Sequence, residues 1–215
     1  MHIIEIGMEK DVLKANVDLA NKNLELLKKN KIKCYDFMGA IGSGKTLMIE
    51  RLTEKLLSKG KKVGAITGDV AGMDDYNRLK KFGIEAENIN TKKECHLDAH
   101  LIHHSLHKLN LENIDILFIE NVGNLVCPAD FPLGSSKRVV IISVTEGDDM
   151  VRKHPIIFGQ ADVVVVNKKD LAEYVDVNID TIIQDYKRIN PNGKIVVTNA
   201  KNGEGIDELM EMLEL

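Results

Sequence analysis

An α/β fold with a doubly wound, mostly parallel sheet is predicted by three observations. Short runs rich in β-branched residues alternate with helix-length segments through most of the 215 residues, as in a parallel sheet covered by helices on both faces. A glycine-rich loop, Gly39-Ala40-Ile41-Gly42-Ser43-Gly44-Lys45-Thr46, stands between the first such run and a helical segment. The tetrad Asn167-Lys168-Lys169-Asp170 follows the valine run Val163–Val166. Ligands of such sheets bind beyond the carboxyl ends of the strands, so the residues just after each run carry the chemistry.

Taken in order, Leu13, Val17, Ala20, Leu24 and Leu27 recur at helical spacing between polar residues, which predicts an amphipathic helix over 1–32, appended to a domain spanning 33–215. Lys33 to Met38 reads as the strand that feeds the glycine-rich loop, with Cys34 as a small buried residue. Leu47 to Lys59 reads as a helix. Further strands are predicted at Lys62–Thr67, Ile114–Ile119, Val139–Val144, Val163–Val166 and Lys194–Val197. The length suits one domain with a substantial core.

Composition narrows the function. A net charge of −4 without a long Lys/Arg run gives no footprint for nucleic acid or an anionic membrane. No apolar run approaches the ~20 residues that span a bilayer, and the N-terminus lacks a signal-peptide pattern, so a cytoplasmic protein is expected. Three cysteines, an odd number, point to packing or metal roles rather than a disulfide framework.

The loop is a complete G-x-x-x-x-G-K-[ST] phosphate cradle. Gly39, Gly42 and Gly44 let backbone N–H groups turn inward on an anion, Ser43 lies between them, and the following helix adds its positive end. Lys45 reaches the β- and γ-phosphates, and the Thr46 hydroxyl is placed to ligate Mg²⁺. In Asn167-Lys168-Lys169-Asp170, the Asp170 carboxylate can accept from guanine N1–H and the 2-amino group, which adenine lacks, while Asn167 and Lys168 hold the loop. Thr198-Asn199-Ala200-Lys201, at the next strand end, offers the Ala200 N–H to guanine O6. GTP is therefore expected over ATP.

Two further strand ends complete this site. Ile114 to Glu120 closes on an acid beside the expected Mg²⁺, with Gly123 three residues on as a γ-phosphate sensor. Ras-like proteins carry D-x-x-G here; Glu120-Asn121-Val122-Gly123 points instead to the signal-recognition and MinD-like branch of P-loop GTPases. After the strand at Thr67, Asp75 is the expected acid near Mg²⁺ and the attacking water, with Asp69 and Asp74 as competing assignments. Lys45, Asp75 and Glu120 form the candidate catalytic set.

Cys95 and His96 are adjacent, and Cys127 follows Gly123 by four residues. Thiolate and imidazole suit Zn²⁺ or Ni²⁺, whereas Mg²⁺ takes oxygen. Three such ligands leave a position for water, another residue or a second chain, and a metal shared across a two-fold homodimer follows naturally. A helix over 96–109 would place His96, His100, His103 and His107 within about 60° of arc, with His104 at its edge. That face is a candidate low-affinity metal surface, with His100 and His104 as its candidate ligands.

Glu94-Cys95-His96-Leu97-Asp98-Ala99, Phe118 to Pro128 and Ser143 to Asp149 closely resemble HypB, the GTPase family that assists nickel insertion into [NiFe] hydrogenase; the likeness covers about residues 33 to 210. UreG, the related urease accessory GTPase, resembles the chain less in Glu120 to Pro128. The resemblance implies a metal site from Cys95, His96 and Cys127, GTP-promoted dimerisation, and work with the zinc-containing partner HypA on the hydrogenase large-subunit precursor. It also implies that some relatives carry an N-terminal cysteine motif or a histidine-rich tail; here no cysteine precedes Cys34. Spacing between Gly123 and Cys127 suggests that hydrolysis moves one metal ligand. Lys153 is a weaker candidate for a contact across the dimer.

Overall fold

A computed structural model describes residues 2–215, with side chains described from Asp11 onward. Its centre is a seven-stranded sheet, β1 (Lys33–Met38), β2 (Val63–Asp69), β3 (Glu85–Asn90), β4 (Ile116–Glu120), β5 (Lys137–Ser143), β6 (Val163–Asn167) and β7 (Lys194–Val197). The spatial order is β3-β2-β4-β1-β5-β6-β7, and every pairing is parallel. From β1 the chain winds outward on one side through β2 and β3, returns to place β4 between β2 and β1, then continues on the other side through β5, β6 and β7. The reversal therefore falls at β1, and the loop after β1 lies at the topological switch point where such sheets bind ligands.

The apolar runs become strands because both faces of the sheet are covered. All five residues of β4 and all five of β6 are buried. On one face Tyr35, Phe37 and Phe118 pack beneath α2 (Lys45–Ser58) and α8 (Ile206–Leu213). The Phe37 and Phe118 rings meet edge to face at 5.6 Å, a favoured aromatic geometry. Cys34, Ile66 and Leu117 face the opposite way, toward α1 (His2–Lys29) and α4 (Ala99–Leu106). Val140, Ile142 and Val164 continue that layer beside Phe158 and Tyr186, from α6 (Pro155–Gly159) and α7 (Ile179–Ile189), which follow the short α5 (Met150–Lys153). Residues of α3 (Asp74–Lys80) close the edge over β3.

Three expectations are corrected. The strand β3 is absent from the predicted set: Glu85-Ala86-Glu87-Asn88-Ile89-Asn90 is mostly polar, and its edge position leaves it half exposed. The histidine helix runs over Ala99–Leu106 rather than 96–109, because Asp98 caps it, accepting from the Leu101 N–H at 2.7 Å; His96 therefore precedes the helix. In α1, Ala20 and Leu27 are buried as the period predicts, but Val17 is exposed while Asn16 and Asn23 are buried. Asn16 accepts from the Ala99 N–H at 2.8 Å and donates to the Pro132 carbonyl at 2.9 Å. Asn23 donates to the carbonyls of Ala99 and Leu133. The buried face of α1 is thus an amide-bearing one, satisfied by two neighbouring segments.

Candidate nucleotide and metal sites

The glycines of the phosphate loop are required by contacts as well as by curvature. Gly44 has φ +103°, and a Cβ there would stand 2.3 Å from Asn167 Nδ2; at Gly39 it would stand 2.3 Å from the Ile141 carbonyl. Lys45 Nζ donates to the carbonyls of Gly39 and Ala40 at 3.1 Å each. Burial lowers its pKa against the opposing pull of Glu120, Asp75 and Glu146.

Beside it, Thr46 Oγ1 lies 2.7 Å from Glu120 Oε1 and 2.8 Å from Asp75 Oδ1. Of the three aspartates weighed in the sequence, Asp75 is the one that converges on Thr46; Asp69 accepts from the Ala71 N–H at 3.4 Å and Asp74 opens α3. Burial, reinforced by the Asp75 carboxylate, pushes Glu120 up to about 7, with Lys45 and the Thr46 hydroxyl opposing. Glu120 Oε2 and Ser43 Oγ are buried without a protein partner. A cluster of oxygens with an orphaned carboxylate oxygen fits a hard cation such as Mg²⁺. These groups line a cleft of about 380 Å³ together with Gly42, Gly44, Gly68, Asp69 and Gly123.

Arg78 also lines this cleft, and sequence reasoning missed it. Its guanidinium holds Glu50 through two bonds, 2.9 and 2.6 Å, and lies 3.8 Å from Asp75. Glu146, just beyond β5, is another residue given no role by the sequence: its Oε1 accepts from the Ser143 N–H at 2.8 Å, its Oε2 is buried and unpartnered, and burial raises its pKa against the Ser143 N–H bond and the pull of Lys45 and Lys168. Arg78 stands in no motif; Glu146 lies in Ser143–Asp149, one of the stretches that resemble HypB, but takes no role from that resemblance.

The base-reading loop is tied to the phosphate loop. Asn167 Nδ2 donates to the Ser43 carbonyl at 2.9 Å, and its Oδ1 accepts from Thr198 Oγ1 at 3.0 Å and from the Ala200 N–H at 3.1 Å. The Ala200 N–H is therefore committed to Asn167 in this arrangement. Lys168 Nζ donates to the Gly42 carbonyl at 2.6 Å, while Asp170 stays exposed.

The soft-ligand cluster forms within one chain. Ligand atoms of Cys95, His96 and Cys127 all lie within 4.8 Å of one another, and the two sulfurs are 2.8 Å apart. The His96 ring stacks on Phe131 with centroids 4.0 Å apart. The neighbouring Cys127 raises the Cys95 thiol pKa; thiolates beside an imidazole are the donor set that Zn²⁺ and Ni²⁺ take. On α4 the His100 and His104 rings lie nearly parallel with centroids 6.2 Å apart, whereas the ring nitrogens of His103 and His107 approach to 3.3 Å. Lys153 pairs with Asp149 on its own helix turn at 2.6 Å.

One buried residue joins the two sites. Asn121, next to Glu120, accepts from the Leu97 N–H at 3.1 Å and from the Val122 N–H at 3.0 Å, and donates to Asp36 at 3.2 Å. Leu97 directly follows Cys95 and His96. The end of β4 is thereby bonded to the segment that carries two of the three soft ligands.

A parallel sheet with its phosphate loop at the switch point, an oxygen cluster beside it and an N-K-x-D loop bonded to it defines a P-loop GTPase. Residues 34–197 match the CobW/HypB/UreG nucleotide-binding domain. The chain is 52% identical over 215 residues to a probable hydrogenase maturation factor HypB of Methanocaldococcus jannaschii, covering all of this chain and 97% of that one. Its structure resembles that of HypB from Archaeoglobus fulgidus, with a TM-score of 0.87 at 50% identity, covering 94% of this chain and 98% of the other. HypB from Helicobacter pylori in complex with nickel gives the same TM-score at 34% identity, covering 93% and 94%. The chain belongs to the HypB hydrogenase maturation factors.

Proposed function

We propose that this GTPase is a cytoplasmic metallochaperone that assists nickel insertion into [NiFe] hydrogenase, its nucleotide state gating the Cys95–His96–Cys127 site. Residues 33–215 form the GTPase and metal unit, preceded by the helix His2–Lys29. The observation that carries the gate is Asn121, which bonds the strand end bearing Glu120 to Leu97.

In this proposal the phosphate loop and Lys45 hold the triphosphate, Asp170 reads guanine, and Thr46, Asp75 and Glu120 hold Mg²⁺. Mg²⁺ held there would supply charge neutralisation for the γ-phosphoryl transfer. Asp75 orients the attacking water. Loss of the γ-phosphate releases Gly123, the segment 120–127 shifts, and Asn121 transmits the shift to Leu97, changing the distance between Cys127 and the Cys95–His96 pair. The open coordination position accepts water or a ligand from a second chain, so GTP-promoted dimerisation and metal binding are coupled, and by linkage each strengthens or weakens the other. A HypA-like zinc protein and the hydrogenase large-subunit precursor are the partners on either side of the transfer.

The test is Ni²⁺ and Zn²⁺ affinity with GDP and with a non-hydrolysable GTP analogue, with sedimentation of the same samples, for the parent chain, Cys95→Ala and Cys127→Ala. Nucleotide-dependent affinity that both variants lose supports the gate. Equal affinity in the two nucleotide states removes it, and a monomer under every condition removes the dimer. Delivery to urease instead is separated by which apo-enzyme the protein activates.

A further inference from the structure

A second group of nitrogen ligands stands on α4, apart from the Cys95–His96–Cys127 cluster. His103 and His107 are one helical turn apart, so their side chains meet on one face. Their rings cross at 82° with centroids 4.7 Å apart, and His103 Nε2 lies 3.3 Å from His107 Nε2. Two nitrogens bound to one tetrahedral cation at about 2.0–2.1 Å stand about 3.3–3.4 Å apart. The observed separation is that of a chelate edge. Without a metal, the same approach lets His107 Nε2 donate a hydrogen bond to His103 Nε2.

The tautomer of His103 is fixed by α1. Asn23 is fully buried, and its Nδ2 donates both hydrogens, to the Ala99 carbonyl at 2.9 Å and the Leu133 carbonyl at 3.1 Å. Its Oδ1 is therefore the atom that meets His103 Nδ1 at 2.8 Å. An amide oxygen only accepts, so His103 Nδ1 carries the proton and neutral His103 turns an Nε2 lone pair toward His107. A buried acceptor fixing the far nitrogen is the usual outer support of a metal-binding imidazole. The His100 and His104 rings lack this convergence, lying parallel at 6.2 Å.

We infer that His103 and His107 form a two-nitrogen site for a borderline divalent cation of the Ni²⁺ or Zn²⁺ class, with Asn23 as the positioning residue and water in the remaining positions. Imidazole donors suit these ions. His107 is exposed, so the ion exchanges directly with solvent, and two neutral ligands hold it more weakly than the thiolates of the first cluster.

Calorimetric titration of the full chain with Ni²⁺ tests the site in a Cys95→Ala, Cys127→Ala background, where the first cluster is removed. One Ni²⁺ equivalent is expected to remain. His107→Ala and His107→Gln, both at an exposed helix end, should weaken it at least tenfold, Asn23→Ala about tenfold or more, and His100→Ala with His104→Ala should leave it unchanged. Long-range ¹H–¹⁵N spectra of the apo protein should show His103 protonated at Nδ1, and Ni²⁺ should broaden His103 and His107 first. Absence of binding in the double-cysteine variant overturns the site. So do binding that survives both His107 substitutions, binding that is lost with His100 and His104, and a His103 protonated at Nε2.

Discussion

Replacing Asn121 by alanine tests the connection between nucleotide and metal most directly. The side chain is 1% exposed and makes three bonds, accepting from Leu97 and Val122 and donating to Asp36. Truncation leaves two backbone N–H groups without an acceptor, each costing about 1–3 kcal/mol when no water replaces the lost partner. It also strips Asp36 of a bond that holds its carboxyl down; burial already raises that group from 3.8 to about 6. Water entering the space of the lost amide offsets part of this, so a destabilisation of about 3 kcal/mol is expected, read by denaturant unfolding of the nucleotide-free protein. The functional effect is more specific. Cys95, His96 and Cys127 all remain, so metal still binds, but the ratio of Ni²⁺ affinities between the GDP and triphosphate states should collapse toward one, measured by competition with a chromophoric chelator. If Asn121→Ala stays within about 0.5 kcal/mol of the parent and keeps the parent's affinity ratio, Asn121 is not the link.

Two further outcomes follow from the nucleotide cleft. Glu120 sits at about 7 in the folded chain against 4.5 for the free group, so between those values the native state holds a proton that the unfolded chain has lost. Stability without Mg²⁺ should therefore fall as pH rises from 4.5 to 7, by roughly 3 kcal/mol. Asp36 contributes in the same direction up to about 6. Because Mg²⁺ must displace the Glu120 proton, its affinity should drop about tenfold per pH unit below 7; Glu120→Gln should flatten the stability profile, and an unchanged slope in that variant would refute the assignment. Gly44→Ala drives a Cβ against Asn167 Nδ2, whereas Gly42→Ala, at φ +80°, meets nothing within 4 Å. Fluorescent-nucleotide titration should show Gly44→Ala weakening GTP about a hundredfold, equivalent to about 2.7 kcal/mol, and Gly42→Ala considerably less; equal losses would show that backbone strain alone decides.

What was legible in the sequence follows from which physical signals are local. The buried strands announce themselves because a parallel sheet covered on both faces needs continuous apolar runs, as in Val163 to Val166. The edge strand Glu85–Asn90 escapes because half of it faces water, so no hydrophobic signal is required of it. The phosphate loop is a contiguous motif and is legible as such. Asp75 is less so: it is the expected acid, but Asp69 and Asp74 compete with it, and only the placement of α3 brings Asp75 to Thr46. The shortened histidine helix had a local sign in Asp98, an ordinary N-cap residue. Asn16 and Asn23 had none, and Asn121, though part of the quoted Glu120–Gly123 stretch, carried no sign of its bonds to Leu97 and Asp36: an asparagine reads as a surface residue until the fold supplies acceptors and donors around it. The residues that join one site to another are for that reason the least visible in a single chain.

The connections around the metal cluster are unequal, and that inequality determines where movement can go. On one side α1 ties the segment after His96 to the segment after Cys127: Asn16 bonds Ala99 and Pro132, and Asn23 bonds Ala99 and Leu133. Gly134 packs so close to α1 that a Cβ there would stand 2.3 Å from the Ala20 carbonyl, which leaves no room for that segment to advance. On the other side Asn121, at the end of a strand whose last residue, Glu120, faces the phosphate cleft, bonds Leu97, and the Gly39–Asn124 bridge ties the phosphate loop to the segment before Cys127. A displacement of the 120–123 segment therefore meets fixed points at Ala99 and at 132–134, and the strain falls on the short stretches between, 95–97 and 124–127. Those stretches carry all three soft ligands. In the proposed gate, the fixed support beyond the ligands, at Ala99 and 132–134, would turn a small shift at Gly123 into a change in ligand spacing rather than a movement of the whole layer.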